Sequence, residues 1–293
     1  MPIGLSMEQI EAYQRDGFLT RIRAFDLNKV AMARQAIEAL KEQCSDGAGG
    51  HSLNQFFRVK GHLVIPLLAE IAKAQTILDS VEALLGPNLL VWSVELFIKE
   101  PGSEKTVSWH QDLTYWGMGE TDDEVTAWIA LSDVSIEAGC MRFIPGSHKE
   151  GIVAHHDTFS DDNLLSRGQE IGVVDERQAV FGTLPPGEMS FHHGCCFHAS
   201  GPNLSGDRRI GVAIRYVTPD VRNEAPDRDY AMLVRGQDAA KGWINVAGPR
   251  RLFAPEDLTA YDQILQDQSA FLTEGALDAV SLYQHEQQRE TSA

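Results

Sequence analysis

LLVWSVELFIKE, residues 89–100, is where the texture of the chain changes. It is rich in β-branched and aromatic residues and is closed by Pro101-Gly102, which reads as a strand. Everything before it reads mainly helical. Ser6 followed by Gln9 fits a capping box for MEQIEAYQRD (7–16), with Gly17 to end that helix. GFLTRIRA (17–24) is a short strand, and Asp26 caps a helix through about Glu42. CSDGAGGHSLNQ (44–55) reads as a loop, and LLAEIAKAQTILDSVEALL (67–85) as one helix stopped by Gly86-Pro87.

After residue 100 come short strand-like runs: VSWHQDL (107–113), EVTAWIALSDV (124–134), CMRFIPG (140–146), IVAHH (152–156), EMSFHH (188–193) and RIGVAIRYV (209–217). Turn-forming Gly, Pro, Asp and Asn separate them. Many short strands at such spacing predict a mainly β fold, a double-sheet jelly roll or barrel. A polar loop over about 157–169 has the length of a lid. The C-terminus returns to helix over about 255–268, with a shorter piece near 275–284. No linker separates two cores, so a single domain is expected. Its helical part covers about 1–86, its β core about 87–220, and a C-terminal extension about 221–293.

The whole chain sets bounds on function. It has 293 residues and a net charge of −17, from 42 acidic and 25 basic side chains. That charge disfavours nucleic acid, anionic membranes and large polyanionic ligands unless a local basic pocket overrides it. No stretch is long and apolar enough to span a bilayer, and the first residues lack the pattern of a secretory signal. Cys44, Cys140, Cys195 and Cys196 form no C-x-x-C pair and no disulfide framework. A cytoplasmic location is expected.

Chemistry enters at SWHQDL (108–113). If this is strand, His110 and Asp112 share a face, because alternate side chains do. One H-x-D alone is weak, since such pairs arise by chance or as structural hydrogen bonds. A third ligand is offered downstream by His192, His193 and His198. His198 lies 86 residues after Asp112, just before a turn and a long β run. Two His and one carboxylate on one face suit a non-haem Fe(II) oxygenase, because three coordination positions stay open. A structural zinc site would fill its shell, typically with Cys. Arg209, 11 residues after His198, is a natural fork for a carboxylate, and Ser200 adds a hydroxyl. Together they fit the far carboxylate of 2-oxoglutarate.

WHQDL (109–113), AWIALSDV (127–134), GCMRFIPGSH (139–148) and FHASGPNLSGDRRIGVAIRY (197–216) together resemble the phytanoyl-CoA dioxygenase family of Fe(II)- and 2-oxoglutarate-dependent oxygenases. The resemblance covers roughly residues 8–220, in family order and spacing. It implies a double-stranded β-helix (jelly-roll, cupin-like) core with flanking α-helices, and Fe(II), 2-oxoglutarate and O2 as cofactors. It makes His110, Asp112 and His198 the metal ligands. Arg209 and Ser200 match the pair at the far carboxylate, and Gln111, Thr126 and Trp128 match positions that line the cosubstrate pocket in some members. Trp116 matches a substrate-facing aromatic in some bacterial members. Halogenating relatives carry a small residue where Asp112 stands, so the resemblance implies hydroxylation or a related oxidation.

The substrate is expected to be a small polar molecule, with Arg58, Tyr115, Trp116, His155 and Arg215 as candidate contacts. For Arg215 a buried ion pair is the competing reading. An acyl-CoA would want a basic mouth, which the net charge opposes. The block NQFFRVKGHLVIPLL (54–68) with FIKEPGS (97–103) is similar to bacterial members that hydroxylate small aminophosphonates; a natural product or an amino-acid-like substrate fits as well. A non-catalytic metabolite-binding barrel and a zinc hydrolase with the same ligands are the readings from other classes.

Overall fold

A computed structural model of the protein describes residues 4–157, 169–172, 174–221 and 229–272. Helix α1 (Met7–Asp16) carries the expected capping box at Ser6 and a left-handed Gly17 at its end. Strand β1 (Phe18–Arg23) follows, then α2 (Leu27–Gln43), capped by Asp26 accepting from the Lys29 N–H. The stretch expected as a loop over 44–55 already contains the start of α3 (Leu53–Arg58), where Ser52 accepts from the Gln55 N–H. The expected single helix over 67–85 is two, α4 (Pro66–Ala72) and α5 (Gln75–Leu85). The break at Lys73-Ala74 lets Leu68 and Ile71 of one, and Ile77, Leu78 and Val81 of the other, enter the same core. One straight helix of that length would run about 30 Å and carry its far end past that core.

The strands that follow are β2 (Leu89–Lys99), β3 (Val107–His110), β4 (Glu124–Ala130), β5 (Met141–Phe143), β6 (His155–Asp157), β7 (Gln169–Ile171), β8 (Val180–Gly182), β9 (Glu188–His192), β10 (His198–Ser200), β11 (Arg209–Val217), β12 (Asp229–Arg235) and β13 (Trp243–Asn245); α6 (Pro255–Leu272) comes last. They form a seven-stranded sheet in the order β1-β9-β4-β11-β2-β12-β13 and a four-stranded sheet in the order β3-β10-β5-β8, with β6 and β7 paired apart. This is the expected double-stranded β-helix. The major sheet reaches beyond the 87–220 window at both ends, since β1, β12 and β13 join it. The suspected lid lies almost wholly outside the described residues, as does the short C-terminal piece.

Alternation along the strands sorts the major sheet into two faces. Val125, Ala127 and Ile129 of β4, and Ile210, Val212, Ile214 and Tyr216 of β11, pack against the helices in the main core. The opposite parity points between the sheets. There Arg209 lies across from Lys99, Gly211 from Phe97, Ala213 from Glu95 and Arg215 from Ser93. Thr126 and Trp128 of β4 continue that inner row, pairing with Arg215 and Ala213 on one side and with His192 and Ser190 on the other. The minor sheet closes over it: the rings of Phe143 and Phe18 stack at 4.6 Å.

Candidate functional site

The strand expected over 107–113 ends at His110; Gln111 is extended, and Asp112 begins a short 3-10 turn to Tyr115. His110 and Asp112 still converge, since only one extended residue separates them. His198 on β10 sits opposite both His110 and Phe143. The result is a buried trio in which one ligand atom each from His110, Asp112 and His198 lie within 4.8 Å of one another. Asp112 Oδ1 is 3.6 Å from His110 Nε2 and 3.9 Å from His198 Nε2.

Backbone carbonyls set the ring tautomers. His110 Nδ1 is 2.8 Å from the Ser108 carbonyl and His198 Nδ1 is 2.9 Å from that of Cys196. A carbonyl only accepts, so each Nδ1 carries a proton and each Nε2 is the ring nitrogen turned toward the common point. Burial first, then the neighbouring His110 and His192, hold the His198 imidazole well below its ordinary range and therefore neutral. Burial pushes the Asp112 carboxyl up, but Arg215, then His110 and His192, outweigh it and keep the group well below the usual carboxylate range. Two imidazoles and one carboxylate suit a divalent metal of moderate softness that keeps open positions.

The other oxygen of Asp112 faces away from that point. Oδ2 accepts from Arg215 Nη1 at 2.7 Å, from Thr126 Oγ1 at 3.2 Å and from His192 Nε2 at 3.2 Å. His192, one of the three histidines offered as a third ligand, instead bonds the outer oxygen of Asp112. His193, the rival third ligand, turns outward to Asp122 at 3.0 Å.

At the far end of the inner row lies a cluster of cations. Arg209 is 3% exposed, and its guanidinium lies over the Trp128 ring at 4.8 Å. Its Nε is buried without a hydrogen-bond partner among the described residues, and burial lowers the group to about 10. Its neighbour Arg208 is partly exposed and paired with Glu38 and Glu100. Lys99, which the sequence reading missed, donates to Ser200 Oγ at 2.9 Å and to the Gly201 carbonyl. Burial, then Arg209 and Arg58, bring Lys99 down to about 6. Its parity on β2 matches that of Arg209 on β11, which was the available signal. A buried guanidinium with a spare donor, beside the Lys99 amine and a hydroxyl, fits one end of a dicarboxylate.

Several candidate contacts do other work. Gln111, expected in the cosubstrate pocket, spends its amide on the Gly151 and Cys195 carbonyls (2.6 and 2.8 Å), and its oxygen accepts from the Val153 N–H at 2.9 Å. One position off the parity of the ligands, it clamps the 151–153 segment. Thr126 bonds the Asp112 carboxylate. Arg215 is a buried ion pair with Asp112 and, at 3.2 Å, with Glu95, which is the competing reading; its Nε has no hydrogen-bond partner among the described residues. His155 accepts the Gln111 N–H at 3.1 Å. Trp116 is buried against Trp92, ring centroids 5.2 Å apart, and Arg215 lies over it. Arg58 lies over the Phe97 ring at 4.6 Å. The Tyr115 side chain is outside the described residues.

Comparison with known proteins agrees with this geometry. A model of the phytanoyl-CoA dioxygenase (PhyH) family matches residues 13–211. An L-proline trans-4-hydroxylase from Streptomyces griseoviridis is 30% identical over 235 residues, 70% of this chain and 83% of that one. Among solved structures, the apo form of the non-heme monooxygenase ThoJ superposes with a TM-score of 0.81 at 32% identity, covering 96% of this chain and all of that one (100%). CytC3 with Fe(II) and alpha-ketoglutarate superposes with a TM-score of 0.63 at 25% identity, covering 83% of this chain and 93% of that one.

Proposed function

This chain belongs to the phytanoyl-CoA dioxygenase family of Fe(II)- and 2-oxoglutarate-dependent dioxygenases, and on that premise we propose that it hydroxylates an unactivated C–H bond of a small polar molecule at a metal held by His110, Asp112 and His198. The iron and 2-oxoglutarate supply the oxidising power, with succinate and CO2 as the co-products. The chain's own residues bind, orient and exclude water. His110 and His198 present Nε2 lone pairs, and Asp112 presents Oδ1. Arg209, with Lys99 and Ser200, takes the far carboxylate of the cosubstrate, and Trp128 holds the guanidinium flat. Trp116 and Trp92 form an apolar wall on the Arg215 side, where water is kept from the reacting C–H.

The observation that carries this reading is the buried Arg209, without a carboxylate partner among the described residues, on the same inner face as the His-Asp-His convergence. A mere metal-binding barrel has no use for that charge, and a hydrolase using the same ligands has none either. The L-proline hydroxylase relative supports a substrate of amino-acid size. The net charge of −17 speaks against a polyphosphate such as a CoA thioester. The test is an assay of the Fe(II)-loaded protein with 2-oxoglutarate and a panel of small polar metabolites. Succinate release and a product heavier by one oxygen are expected. Turnover with zinc and without 2-oxoglutarate, or no succinate under any condition, would remove the reading.

A further inference from the structure

We infer that Arg215, anchored by Glu95, is a positioning residue that makes Asp112 a one-oxygen ligand and so keeps a coordination position open. The inference rests on the metal assignment above and asks what the outer half of the Asp112 carboxylate is for. Three donors converge on Oδ2: the Arg215 guanidinium, the Thr126 hydroxyl and the His192 ring N–H. None of these three goes to Oδ1, which stands 3.6 and 3.9 Å from the Nε2 atoms of His110 and His198. Both distances are longer than the three contacts that Oδ2 makes. Among the described residues the two oxygens are thus divided: Oδ2 takes three donors, and Oδ1 faces the two imidazoles.

Arg215 is the member built to persist. It sits within β11, with β2 and β4 paired on either side of it. Its second amino group reaches Glu95 at 3.2 Å, and Glu95 in turn accepts from Ser93 Oγ at 3.2 Å. The guanidinium plane lies over Trp116 at 5.0 Å. Arg215 Nη1 also donates to Thr126 Oγ1 at 2.9 Å, which turns that hydroxyl's own proton toward Asp112. Thus Glu95, Trp116 and Thr126 fix one guanidinium, and the guanidinium fixes one oxygen.

The consequence follows from counting positions. An octahedral ion with three single-atom protein ligands keeps three sites, two for a keto acid and one for O2. A carboxylate swinging to bind through both oxygens takes the third. A plain charge-balancing role for Arg215 predicts weaker metal binding when it is removed, with the geometry of what still binds unchanged. The positioning role predicts that metal and 2-oxoglutarate still bind while the third site closes.

Nitric oxide added to the anaerobic Fe(II)·2-oxoglutarate protein, followed by electron paramagnetic resonance, counts open sites per bound iron. In R215Q the signal per bound iron is expected to fall at least fivefold, with R215K recovering part of it. E95Q, which leaves every group around the metal intact, is expected to move the signal in the same direction by a smaller factor. A signal per bound iron equal to wild type in R215Q overturns the inference. If R215Q does not fold or binds no iron, an unchanged signal in E95Q overturns it. Failure of the wild-type protein to bind iron would instead strike the assignment of His110, Asp112 and His198.

Discussion

Adjacent residues in this chain have opposite fates, and the site depends on it. Arg208 and Arg209 differ by one step on β11, so one reaches surface carboxylates and the other a buried space. R208A should leave 2-oxoglutarate KM within about twofold, because a partly exposed pair contributes only about 0–1 kcal/mol. R209A should raise that KM at least about a hundredfold, since charge-assisted hydrogen bonds to a buried carboxylate are worth about 1.5–3 kcal/mol each. Steady-state kinetics on the two variants checks the contrast. Lys99 adds a pH dependence. Its pKa is lowered to about 6 by burial and then by Arg209 and Arg58. Above that value the amine is neutral, and a carboxylate arriving beside it draws a proton onto it. Cosubstrate binding should therefore take up a proton between about pH 7 and 8 and tighten as the pH falls toward 6. Calorimetry in buffers of different ionisation enthalpy reads the uptake; proton release on binding would refute it.

At the scale of elements, the inner face of the major sheet is what aligns cosubstrate, metal and positioning groups in one row. Gly211 shows how closely that row is packed: a Cβ there would collide with the Trp128 indole. G211A should push Trp128 off Arg209, cost about 1–3 kcal/mol of stability and raise 2-oxoglutarate KM with a smaller change in metal affinity. Thermal unfolding and kinetics together check it, and a variant with wild-type KM would show that the stacking does not matter. The strands were legible because their β-branched runs are bounded by turn residues. Alternation required that only one of Arg208 and Arg209 face inward, and the family resemblance pointed to Arg209. The break between α4 and α5 was not legible, because no Pro or Gly marks Lys73-Ala74 and only packing against the common core demands it. The start of α3 was hidden by the Gly-rich run before its Ser52 cap. Gln111 was misread as a pocket residue although its position between two ligands turns it away from the metal.

For the whole molecule, the sheets divide the labour. The minor sheet brings His110 and His198, the major sheet brings Arg209, Lys99 and Arg215, and Asp112 follows β3 at the join. The H-x-D was visible locally, but the choice of His198 among three downstream histidines came from the family resemblance; the fold brings His198 to His110 and Asp112. The supporting groups were not legible: His192, Lys99 and Glu95 acquire meaning only from cross-strand register, which no local pattern states. Charge was informative at this scale too, since a chain of net −17 buries Arg209 without a carboxylate partner among the described residues, which suits the proposed anionic cosubstrate. The most direct measurement is an anomalous-scattering map from crystals grown anaerobically with Fe(II). One iron peak about 2.0–2.2 Å from His110 Nε2, Asp112 Oδ1 and His198 Nε2 together is the result expected. A peak elsewhere, or one that any of the three fails to reach, would contradict the account.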